Sequence, residues 1–129
     1  MADYVADTMA IISHFAQRRL SETARQILRD ADGDLHRIYF SAVTLMEILY
    51  LSEARRISLS PAELMKRISE SSNYIPLPLT AEIVLTASTI DDVREMHDRL
   101  IAATAKHYNY PLLTNDPILL KSKHITTVW

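Results

Sequence analysis

Ile38-Tyr39-Phe40-Ser41-Ala42-Val43 runs straight into Thr44-Leu45-Met46-Glu47-Ile48-Leu49-Tyr50-Leu51, and the change of period between them decides the fold. The first run is β-branched and aromatic, which suits a strand. From Thr44 to Arg56 the apolar residues recur at helical spacing. A strand feeding directly into a helix is half of a βαβ unit, and the same alternation continues on both sides.

Upstream, Tyr4-Val5-Ala6 reads as a short first strand. Helices follow over about Thr8 to Gln17 and Ser21 to Asp30, then a turn at Asp32-Gly33-Asp34. Downstream, Ser60-Pro61-Ala62-Glu63 opens a helix, with Ser60 at the N-cap and Pro61 in the first turn. Tyr74 to Leu79 is a third strand. Pro76 and Pro78 lack ladder donors, which confines it to a sheet edge. Thr80 to Ser88 and His97 to Tyr108 read as helices. Leu112-Leu113 is a fourth strand, Pro117 to Lys121 a short helix, and Ile125 to Val128 a fifth strand. Strands separated by helices imply a parallel sheet with right-handed crossovers, an α/β fold.

The 129 residues fit one domain, 1–129, large enough to bury a core. There is no cysteine, which excludes disulfides, thiolate zinc sites and cysteine nucleophiles. The one glycine, Gly33, excludes glycine-rich phosphate loops. No apolar run is long enough to span a bilayer, and Met1-Ala2-Asp3-Tyr4 lacks a basic leader, so a cytoplasmic protein is expected. With 14 basic and 16 acidic residues, the net charge of −2 excludes bulk attraction to nucleic acid. A local patch from Arg18, Arg19, Arg25, Arg29 and Arg37 is conceivable. Glu22, Asp30, Asp32 and Asp34 interrupt it, so a solvated mixed-charge helix face is the favoured reading.

Four acids stand out by position. Asp7 follows the first strand, and Glu47 lies in the first turn of the helix after the second. Asp98 opens the helix before the fourth strand, and Asp116 lies just past that strand. If strand order reverses between the first and fourth strands, Asp7 and Asp116 flank the switch point where such sheets place their sites. Positions +3, +4 and +7 after Glu47 are Tyr50, Leu51 and Ala54; after Asp98 they are Ile101, Ala102 and Ala105. Each acid therefore heads an apolar stripe expected to face the core, where a carboxylate needs a partner, a proton or a metal. No Lys or Arg sits obviously beside either; Arg99 points about 100° away from Asp98 on a helix.

Each acid also has a structural reading. Thr44-Leu-Met-Glu47 fits a capping box, and Asp98 and Asp116 suit helix starts through the dipole. Four such acids converging on one sheet edge is better explained by a site. An all-carboxylate cluster suits a hard divalent cation, Mg²⁺ or Mn²⁺, with at least one raised carboxyl pKa when no ion is bound.

The segments Tyr4-Val-Ala-Asp7-Thr8, Val43-Thr44-Leu-Met-Glu47-Ile48, His97-Asp98-Arg99-Leu-Ile-Ala-Ala-Thr-Ala105 and Leu112-Leu-Thr114-Asn-Asp116 resemble the four acidic motifs of PIN domains. Thr127-Val128-Trp129 is similar to the last strand of VapC toxins. The resemblance implies a three-layer α/β/α fold with a parallel sheet of order 3-2-1-4-5, and Mg²⁺- or Mn²⁺-dependent endoribonuclease activity. It assigns Asp7, Glu47, Asp98 and Asp116 to a catalytic metal site, with Thr114 as a supporting hydrogen-bond donor. It further implies a cognate antitoxin inserting a segment near the site, and a homodimer. Arg18, Arg19 and Lys121 are candidates for contact with RNA phosphates. One departure is Met9, where the family usually carries Ser or Asn two residues after the first Asp, so a supporting hydrogen bond is missing. That supports a rival reading, a catalytically weak PIN-fold module that binds RNA or protein. A receiver-like signalling domain is a third reading; it would want paired acids near the first strand, and Asp3 lies too early for that layout.

Overall fold

The computed structural model describes residues 2–71 and 73–129. β1 (Ala2–Ala6) is followed by α1 (Thr8–Phe15), α2 (Glu22–Asp32), β2 (His36–Ser41), α3 (Ala42–Glu53), α4 (Pro61–Ser69), β3 (Tyr74–Leu77), α5 (Ala81–Ala87), α6 (Met96–Tyr108), β4 (Leu112–Leu113), α7 (Pro117–Leu120) and β5 (Thr127–Val128). The strands form one parallel sheet in the order β3-β2-β1-β4-β5. The sheet order implied by the family resemblance and the edge position of the proline-bearing strand both hold. Pro76 pairs in register with Phe40, and its missing N–H has no neighbour to feed.

The pleat sorts the strand residues between two cores. Ala6, Ile38, Phe40 and Leu113 pack on one face beneath α1, α2 and α4; Val5 and Leu112 pack on the other beneath α5, α6 and α7. α3 serves both, with Val43 in the second core and Ile48 in the first. Helix ends supply left-handed residues without glycine: Gln17, Arg55 and Asn109 adopt positive φ, while Gly33 does not. At the turn after α2 the positive φ falls on Asp34, and Asp32 belongs to the helix.

Two expectations about α3 change. Ser41 caps this helix, its Oγ accepting from the Val43 N–H at 3.1 Å. The helix therefore starts two residues before Thr44, Glu47 moves into the second turn, and the Thr44–Glu47 capping box does not exist. The stripe after Glu47 also fails as a core face, because Tyr50 is 62% exposed and Ala54 is exposed. The buried face of α3 is Val43, Thr44 and Ile48, so Glu47 stands at its margin. The stripe after Asp98 does face the core: Ile101, Ala102 and Ala105 are buried.

Candidate active site

β1 and β4 lie side by side, yet their outer neighbours β2 and β5 lead in opposite directions, so the order reverses between them. At that reversal the crossing helices diverge and leave a crevice at the carboxyl edge. Asp7, Glu47, Asp98 and Asp116 all line this cleft of about 460 Å³, with Thr8, Met9, Asn115 and Ile101 among the other walls. No Lys or Arg is among the residues lining it.

Three of the four acids also serve helix starts. Asp7 is the N-cap of α1, its Oδ1 accepting from the Ala10 N–H at 2.8 Å. Asp116 is the N-cap of α7, its Oδ1 accepting from Ile118 and Leu119 N–H groups at 2.9 and 3.2 Å. Asp98 lies in the first turn of α6, where Glu95 is the cap and accepts from the Asp98 N–H at 2.7 Å. The capping and site readings are compatible, because a carboxylate has about four acceptor positions. Among the described residues, none hydrogen-bonds to Asp116 Oδ2, Glu47 Oε2 or either Asp98 carboxylate oxygen.

Thr114 joins two of the acids. Its hydroxyl donates to Asp7 Oδ2 and accepts from the Asp116 N–H at 3.1 Å, both inside the core edge. Thr8 was given no role from the sequence, although it adjoins the first acid. Its hydroxyl donates to Glu47 Oε1 at 2.7 Å and lies 3.0 Å from Thr44 Oγ1. Asn115, also given no role, lines the same cleft.

The carboxylates repel. Burial chiefly raises the pKa of Asp7, against hydrogen bonds from Thr114 and Ala10, with Asp116 and Glu47 adding charge repulsion. Asp98 is pushed up to about 6, first by burial and then by Asp116, Glu95, Glu47 and Asp7. The expected raised carboxyl pKa is therefore present at two positions. An oxygen-only donor set with open lone pairs and no basic neighbour fits a hard divalent cation. Among the described residues, no three of these four acids bring ligand oxygens within 4.8 Å of one another.

The weaker candidates lie elsewhere. Arg18 donates to the Arg56 carbonyl at 3.3 Å and lines a different cleft, Arg19 a third, and exposed Lys121 follows α7 without lining the acidic cleft. Arg99 is turned away and donates to the Ala87 carbonyl at 2.8 Å. Among the described residues the tight set of metal-type ligands is Asp91, Asp92 and His124, outside the cleft. Its bonds explain it structurally. Asp91 meets His124 at 2.8 Å, and Asp92 accepts from Ser122 and Lys123 at 2.8 Å, tying the segment before α6 to that before β5.

A model of the PIN domain matches residues 4–123. No curated protein matches the chain in sequence. Among solved structures, VapBC2 from Rickettsia felis, bound to a DNA fragment from its promoter, is similar with a TM-score of 0.72 and 16% identity over 98% of this chain and 97% of that one. DNA-bound VapBC from Salmonella typhimurium gives 0.69 and 18% over 99% and 98%. The PIN domain endonuclease Utp24 gives 0.50 and 18% over 91% and 73%. At these identities the solved structures speak for the fold; the chemistry must be read from the cleft.

Proposed function

The chain belongs to the PIN domain family, and from that premise we propose that it is a metal-dependent endoribonuclease of the VapC toxin type, one catalytic unit over 1–129. One observation carries the reading: four carboxylates from four separate parts of the chain line one cleft, with no cation of the protein's own beside them. Similar folds occur in VapBC toxin–antitoxin complexes and in an endonuclease, which supports a nucleic-acid substrate and a protein antitoxin as inhibitor. A homodimer and a cytoplasmic location belong to the same proposal. No helix among the described residues is long and apolar enough to cross a membrane.

Asp7 and Asp98 would be direct ligands of Mg²⁺ or Mn²⁺, with Glu47 and Asp116 ligating or holding water. Such an ion, when bound, polarises a phosphoryl oxygen and eases ionisation of water. The chain does the positioning. Thr114 and the Ala10 N–H fix the Asp7 carboxylate from opposite sides. Thr8 holds Glu47 Oε1, leaving Oε2 to accept a proton from the attacking water. Water oxygen bonds to phosphorus, the bond to the leaving ribose oxygen breaks, and that oxygen takes up a proton from solvent water.

A second reading, an RNA- or protein-binding module without turnover, is favoured by Met9, whose thioether lines the cleft where a polar side chain would serve a metal site. Mg²⁺-dependent cleavage of total RNA, lost in Asp7→Asn, supports the nuclease. Equal cleavage by both proteins, or none by either, discards it for this site. Growth arrest on expression, relieved by the co-expressed neighbouring antitoxin gene, tests the toxin role.

A further inference from the structure

The acidic cleft does not end at its own walls. Asn115 is shared with a second cleft of about 500 Å³ that Arg19, Arg25 and Trp129 also line. Arg25 is shared in turn with a third of about 580 Å³, lined by Arg18, Arg29 and Arg67. The three clefts thus adjoin in series, acidic at one end and carrying five guanidinium groups along the rest.

These charges are available. Among the described residues, Arg19, Arg25 and Arg29 have no side-chain hydrogen-bond or ion-pair partner. Arg18 and Arg67 donate only to the carbonyls of Arg56 and Phe15, at 3.3 and 2.5 Å, which holds them in place without neutralising them. All five are exposed. Of the acids that interrupt this run in the sequence, Asp30 lies outside the clefts, while Asp32 and Glu22 line them. Asp30 accepts from Gln26 at 2.8 Å and meets His36, while Arg25 and Arg29, four apart, share one face of α2. Asp32 lines the third cleft but is tied to His14 and Tyr74. Glu22 lines the second.

We propose that this series of clefts is a track for single-stranded RNA leading away from the acidic cleft. Arg19, Arg25 and Arg29 meet successive phosphates, and an unpaired base stacks on Trp129. The proposal rests on the nuclease reading for its direction. A substrate polyanion is repelled by the four carboxylates, and the protein's net charge offers no help. Local cationic groups must therefore hold the strand, and the arginines begin one residue wall away from the acids. Trp129 packs one side against the core while remaining partly exposed, the disposition of a stacking platform, and stacking requires an unpaired base.

Trp129 is the chain's one tryptophan, so its fluorescence reports on the track directly. The test titrates Asp7→Asn protein with an unstructured oligoribonucleotide of about 12 nucleotides, reading anisotropy and tryptophan emission together. Quenching should saturate with the anisotropy. Adding Arg25→Gln and Arg29→Gln should weaken binding about tenfold and flatten the salt dependence by roughly 1.4 in log–log slope, at unchanged thermal stability. Binding without quenching, or binding indifferent to the two glutamines, overturns the track. So does arginine-dependent capture of poly-glutamate with no capture of RNA, which would make the groove a site for an acidic protein segment. If the unmodified protein fails to cleave but the arginine-dependent RNA binding is seen, the nuclease reading falls and the track stands. If it cleaves and the two glutamines leave kcat/KM unchanged, the nuclease stands and the track falls.

Discussion

Thr8 Oγ1 donates to Glu47 Oε1 at 2.7 Å, joining α1 to α3 across 39 positions of sequence. A hydroxyl has one proton, so Thr44 Oγ1, 3.0 Å away, must be the donor to Thr8. The chain Thr44→Thr8→Glu47 fixes the one acid of the four that stands at no helix start.

Thr8→Val keeps the shape and removes this relay. Thr44, fully buried, loses its acceptor, and an orphaned buried hydroxyl costs about 1–3 kcal/mol. Denaturant unfolding should show a loss in that range. Cleavage should fall through kcat with KM little changed, because the effect is on the aim of Glu47. Wild-type kcat in a stably folded Thr8→Val would show that Glu47 needs no such support.

Asp98 predicts an unusual pH dependence. Its carboxyl titrates near 6 when folded against an ordinary 3.8. Between these values the folded state holds more protons than the unfolded one, so metal-free stability falls as pH rises through that window and levels off above it. Asp98→Asn removes the repelled charge. In chelator it should melt higher than wild type at pH 8, and its advantage should shrink on acidification toward pH 4. A melting difference that is constant with pH would show that Asp98 is not strained by its neighbours.

Divalent ions should reverse that penalty. Mg²⁺ or Mn²⁺ should raise the melting temperature of the wild type in a concentration-dependent way, by about 2.7 kcal/mol of stability at a hundredfold excess over Kd. Asp7→Asn and Asp98→Asn should lose most of this response. Equal stabilisation of all three proteins would place the ion elsewhere, the Asp91–Asp92–His124 cluster being the first place to look.

Met9 is 46% exposed at the cleft. Met9→Ser supplies a hydroxyl where the thioether gives only a weak acceptor, and should tighten metal binding about tenfold without altering the melting temperature in chelator. An unchanged metal titration would mean that this position does not support the ligands.

The order of strands and helices was legible because their signals are local. Periodicity, Ser60-Pro61 at a helix start, and Pro76 in an edge strand all act within a few residues. The strand-end positions of Asp7 and Asp116 were legible for the same reason, since a parallel sheet puts those ends on one edge. The capping box at Thr44 misled because Ser41, an equally good cap, lies three residues earlier, and sequence gives no preference between them.

Residue order along the chain thus decided which elements form and that the acids gather at one edge of a parallel sheet. Folding in three dimensions decided the rest: that Thr114 reaches Asp7 across 107 positions, that Thr8 serves Glu47, and that Asn115 opens the acidic cleft toward Arg19 and Trp129. Such partnerships depend on how helices sit over the sheet, which is set by the packing of the two cores as a whole. No short stretch of sequence carries that information.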